Sequence, residues 1–274
     1  MKKFTKGLCL STAIVAAGAM LSSTAMAAEI FQVDESSVPG AVANTVTADK
    51  INGTYLENVE FKNATDFAVS IGINFNSYTL NGLPLPVGSN PQIAATGSPF
   101  PSAYSLYALF LGAGTYAGID PTNFTFTSGT YSLWVDPNSD STLTASGDGD
   151  VAFGVSNTGD DYQIALGSVL AGSGVLDCGV GQGINCGSFG TNLDVLLTDP
   201  EGLAFFSDPD PFFELAFTSG DFQEFPVVVG TTQTVNGNVS LSFEKVPEPA
   251  TLALFGLGLA GMAGVARRKT KKQA

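Results

Sequence analysis

The residues best able to do chemistry in this sequence are carboxylates. Asp136-Pro137-Asn138-Ser139-Asp140 is followed closely by Asp148-Gly149-Asp150. Oxygen ligands at alternate positions of a turn can converge on one hard cation, as in the first half of an EF-hand loop. Asp136, Asn138, Asp140, Asp148 and Asp150 therefore form a candidate calcium site, and calcium is the only cofactor the chain invites. Its match to that loop is partial. Ser141 replaces the turn glycine, and Gly147 stands where a bidentate Glu would close the cage, leaving closure to Asp148 or Asp150. The competing reading is a solvated Asx turn after a strand.

Two further pairs, Asp160-Asp161 and Asp208-Pro209-Asp210, could be calcium turns or the acid and nucleophile of a glycoside hydrolase. The spacing of the two carboxyl groups in space decides the second case. No histidine occurs among the 274 residues. That removes Ser-His-Asp and Cys-His catalysis within the chain, His-bound zinc, and the usual general base near neutral pH. No catalytic residue is assigned, and the expectation is a protein that is not an enzyme. Cys178 and Cys186 lie in a Gly-rich loop, LDCGVGQGINCGSFG. In an exported chain, a pair this close reads as one disulfide.

The charges are unevenly placed. Eight of the eleven basic residues sit at the two ends, leaving Lys50, Lys62 and Lys245 in between. All 25 carboxylates lie from Glu29 to Glu248. So anionic a middle disfavours nucleic acid, whose phosphates need cations. It suits a soluble surface facing a cationic or neutral partner, calcium or sugar among them.

The ends have their own logic. Lys2, Lys3 and Lys6 precede an apolar run to Leu21, and Ala25-Met26-Ala27 supplies small residues for a signal peptidase. Residues 1–27 thus read as a signal peptide. At the other end, Pro247-Glu248-Pro249 precedes Ala250 to Ala266, which carries no charge, and then Arg267-Arg268-Lys269 with two more lysines. An uncharged helix of that length is just long enough to cross a bilayer. The cations behind it would stay cytoplasmic. These features predict a C-terminal transmembrane helix and transient contact with the inner membrane.

The elements that would carry the carboxylates are strands. Alternation marks 54–62, 67–75, 123–127, 130–136, 162–169, 192–197, 203–206, 213–217 and 239–243. Phe124–Thr127 and Tyr131–Val135, joined through Ser128-Gly129, read as a hairpin, and 83–101 as a Pro-rich loop. With no periodic helix, residues 28–245 predict an all-β domain, an antiparallel β-sandwich or jelly roll. Aromatics on these strands read as core; Trp134 is either core or ligand platform.

The Pro247-Glu248-Pro249 motif, the Gly-rich apolar stretch and the Arg-Arg-Lys end resemble the PEP-CTERM sorting signal of Gram-negative bacteria. That resemblance implies residues 246–274 are a sorting tail, handled by an exosortase and cut near the motif. In the middle, Tyr104–Phe110, Tyr131–Pro137, Gly159–Tyr162 and Ala165–Gly174 are similar to flocculation-associated PEP-CTERM proteins. That likeness implies an extracellular-matrix protein that holds exopolysaccharide and supports flocculation or biofilm formation. The alternatives are a calcium-dependent carbohydrate-binding module and a polysaccharide hydrolase.

Overall fold

The computed structural model describes residues 28–85, 93, 104–118, 121–178 and 186–245. Its strands, in order, are β1 (Phe31–Asp34), β2 (Thr45–Ala48), β3 (Lys50–Phe61), β4 (Asp66–Leu80) and β5 (Leu83–Pro84). There follow β6 (Ser105–Ala117), β7 (Thr122–Asp136), β8 (Thr142–Thr144), β9 (Gly154–Ser156) and β10 (Tyr162–Leu176). The last are β11 (Gly187–Asp194), β12 (Leu196–Leu197), β13 (Phe206–Asp208), β14 (Leu215–Phe222) and β15 (Thr232–Glu244), with one short helix, α1 (Glu201–Phe205).

Eight of these strands close on themselves. β3, β4, β6, β7, β10, β11, β14 and β15 each pair antiparallel with the next in sequence, and β15 returns to pair with β3, Val235 opposite Glu57. The result is an up-and-down barrel with no free edge in the ring. The expected sandwich or jelly roll is therefore corrected: those folds need two facing sheets, whereas here one sheet curls until its first and last strands meet. The expected hairpin at Ser128-Gly129 is corrected as well. β7 runs unbroken through that pair, and a bulge near Thr127 absorbs one residue against β6.

Side chains alternate across the wall. On β15, Val235, Val239, Leu241 and Phe243 are buried, while Thr234, Asn236, Asn238 and Ser240 lie on the opposite face. Inward apolar and outward polar residues are the reverse of what a lipid-facing barrel needs. The near end, where β3 begins, is capped by the small sheet β13-β1-β2 and by α1. Phe31 and Phe206 there pack edge-on against Phe243, at 5.1 and 5.2 Å. Beneath them Tyr104 Oη donates to the buried Glu35 (3.1 Å), whose other oxygen accepts from Asn44 (2.7 Å). The Tyr78 hydroxyl meets that of Tyr104 at 3.0 Å. The two ends of the described domain also meet here: Glu29 N donates to Phe243 O (3.2 Å), and Lys245 lies 3.6 Å from the Glu29 carboxylate. The far end is plugged by Phe61, Tyr116, Phe124, Phe222 and Phe225.

The predicted strand at 203–206 is mostly α1, with Pro200 before it and Glu201 in its first turn. Among the described residues no helix is long and apolar enough to cross a membrane; α1 has five residues and the turn Glu35–Ser37 three. The flanking signal helix and transmembrane helix fall on 1–27 and 246–274, outside the described residues. The transmembrane helix, the inner-membrane partner and the transient inner-membrane location drawn from it are accordingly corrected and withdrawn. A crossing needs roughly 20 helical residues, and nothing of that kind is present in the described chain.

Candidate functional site

The barrel encloses a cavity of about 70 Å³. Its wall is almost wholly apolar, with Phe67, Phe110, Phe126, Phe189 and Phe222 prominent. Into this wall β3 brings Glu57, in phase with Tyr55, Val59 and Phe61. Glu57 keeps some accessible surface, but that surface faces the cavity, and the barrel surrounds the residue. Its carboxyl has no hydrogen bond or ion pair among the described residues. Loss of hydration in these surroundings pushes its pKa from 4.5 up to about 7. Among the described residues, the other ionisable groups lining the cavity are Tyr55 and Tyr131. Both spend their hydroxyls on backbone carbonyls, Asp221 O and Asp194 O, each at 3.0 Å. Burial raises both above the ordinary tyrosine range, so they stay protonated.

A second cluster lies outside, on the wall formed by β6, β7 and β10. Tyr107, Trp134 and Gln163 are cross-strand neighbours on one row. The Tyr107 and Trp134 rings are parallel, offset at 6.2 Å, and the half-buried indole donates to Ser132 Oγ (2.9 Å). Tyr107 Oη and Ser141 Oγ both donate to Asp161 Oδ2, at 2.7 and 2.6 Å. Burial raises the Asp161 pKa; those two donors oppose the rise, and the charges of Asp136 and Asp160 add to it.

The five residues of the predicted calcium site do not converge. Asp136 and Asp140 join Asp160, while Asp148 and Asp150 join Glu60 in a separate cluster. Buried Asp136 is held by Ser105 Oγ and by the N–H groups of Asp140 and Ser141, as an acceptor that orders the turn. Asn138 contributes its backbone N–H to Asp160 (3.1 Å). In the other cluster Lys62 already supplies the cation, contacting Glu60 at 2.6 Å and also Asp150, and those two hydrogen bonds raise its pKa. This second cluster belongs to the excursion between β7 and β10, which folds back over the outside of β3 and β4. Phe153 covers Gly72, where any side chain would strike its ring, and the Asn58 amide lies between Ser146 and Thr234 (3.2 and 3.3 Å).

Asp208 ends β13 at the exposed near-end cap; it and Asp210 join no carboxylate cluster among the described residues. Cys178 and Cys186 form a disulfide across the β10–β11 connection, with Cα atoms 5.0 Å apart. Pro247, Glu248, Pro249, Arg267, Arg268 and Lys269 lie outside the described residues. Comparison with known proteins speaks to that segment. Residues 245–269 match the PEP-CTERM protein-sorting motif. That span contains the Pro-Glu-Pro triplet and the Arg-Arg-Lys end, so the chain carries a sorting signal of this type, consistent with surface or secreted processing. No curated protein and no solved structure gives a significant match.

Sequence reasoning passed over Glu57. The signal was available: in TYLENVEFK, strict alternation places one glutamate on the face that otherwise carries Tyr55, Val59 and Phe61.

Proposed function

We propose that this chain is an exported, exosortase-processed protein of the cell surface or extracellular matrix that associates with exopolysaccharide and supports flocculation or biofilm formation, without being an enzyme. The observation that carries the reading is the sorting motif at 245–269, at the end of an acidic domain. The outer-wall row of Tyr107, Trp134 and Gln163 adds to it, because an indole beside an amide suits a neutral sugar: the ring takes the apolar sugar face and the amide its hydroxyls. The absence of histidine from the sequence favours binding over hydrolysis.

Deleting the gene should shrink flocs and release polysaccharide, and a Trp134→Ala copy should restore secretion but not retention. Unchanged flocs and polysaccharide in the deletion strain would sink the reading. Mass spectrometry of the mature C-terminus should find cleavage near Pro247–Pro249, abolished by Glu248→Ala. A calcium-dependent carbohydrate module is the second reading, favoured by the proximity of Asp136, Asp140 and Asp160. Equal melting temperatures in calcium and in chelator would remove it.

A further inference from the structure

The cavity contains a carboxyl that nothing in the barrel satisfies. The three basic residues of 28–245 are Lys50, Lys62 and Lys245, and none of them lines it. Both tyrosine hydroxyls that could have donated are engaged with backbone carbonyls. No described residue of the chain supplies a partner for Glu57, which leaves that role to a guest. The remaining side chains of the wall are phenylalanine rings and aliphatics apart from Thr191 and Thr218, and the Thr218 hydroxyl donates to Thr191 O (3.4 Å), so the wall offers little hydrogen bonding to a neutral polar guest. Ring faces do attract cations, however. The volume admits a guest of only a few heavy atoms. Among the described residues, Phe225 is the one lining side chain carried by a segment without regular structure, between β14 and β15, and it sits half-buried in the far-end plug. It is the natural point of entry.

We propose that the barrel interior is a binding site for a small organic ammonium ion, with the Glu57 carboxylate as its counter-charge and the surrounding aromatic rings as its walls. The ammonium donates to the carboxylate, its short alkyl group fills the apolar space, and Phe225 swings aside to admit it. This goes beyond the surface role above and stands without it.

Methylammonium chloride is the probe, titrated calorimetrically into the purified protein against sodium chloride of equal ionic strength. Saturable binding is expected, weakened about ten- to a hundredfold in Glu57→Gln, the range for loss of a charged hydrogen bond. Near-ultraviolet circular dichroism checks that the variant is folded. The wild-type protein supplies a test that needs no variant. Because Glu57 must be ionised to bind, affinity should rise about tenfold from pH 6 to pH 8. At pH 7, about half a proton should leave for each ammonium bound, read from buffers of different ionisation enthalpy. Heat no greater than that of sodium chloride would overturn the proposal. So would equal binding by the variant, an affinity flat with pH, or methanol binding as well as methylammonium. The last two would mean that the cavity holds water or any small polar molecule around a neutral acid.

Discussion

Replacing Glu57 with Gln keeps shape and removes only the ability to ionise. Below pH 4.5 the carboxyl is protonated in both folded and unfolded chains and contributes no pH dependence. Between pH 4.5 and about 7 the unfolded chain ionises first, so wild-type stability falls as pH rises. Above about 7 the folded chain ionises too, and the penalty stays constant. A displacement from 4.5 to about 7 corresponds to about 3 kcal/mol. At pH 8 in amine-free phosphate, Glu57→Gln should therefore be more stable than wild type by about 3 kcal/mol, or about 6–12 °C in Tm for a domain of this size. At pH 4 the two should coincide. Urea unfolding of both proteins across pH 4–8 isolates the effect, since every other titrating group is shared. Parallel profiles, or a variant less stable at pH 8, would refute the idea that this carboxyl sits unpaired in an apolar space.

Other perturbations test the surroundings. Tyr104→Phe removes a donor from buried Glu35 and strands the Tyr78 hydroxyl, so unfolding free energy should drop by about 1–3 kcal/mol. Replacing both Cys178 and Cys186 with Ala opens a loop with a sequence separation of 8; chain-entropy arithmetic gives a loss of about 2.5 kcal/mol, measurable by urea denaturation. Phe153→Ala uncovers Gly72 and should expose residues 142–156 to limited proteolysis while the barrel's far-ultraviolet signal persists.

The all-β character was legible because alternation is local. Strands such as 54–62, 67–75 and 239–243 need no knowledge of their partners. Closure was not legible, because the ladder between β15 and β3 joins residues that are far apart in sequence, such as Val235 and Glu57. Ser128-Gly129 has the local signature of a turn and becomes a curving strand only because the ring must bend there. β6 went unread as a strand because Ser105–Phe110 lacks alternation; both faces are covered, Tyr107 lying under Trp134 outside the wall while Leu106 and Ala108 point in. The carboxylates at 136–150 were seen as one group for their nearness in sequence. Their separation reflects a hairpin, β8–β9, that carries Asp148 and Asp150 across the outside of the barrel toward Lys62. No spacing rule anticipates that.

Glu29 and Phe243 touch at the same pole, and this makes the barrel a candidate for circular permutation. A short linker from 245 to 29 would span a gap already bridged by a hydrogen bond. Cutting the chain instead within 144–154, at the tip of an excursion outside the ring, would leave all eight ladders continuous. Such a rearranged gene would shift any attachment made at the ends from the capped pole to the outer wall beside β3 and β4, and would leave untouched the opposite pole, which holds both the disulfide and Phe225.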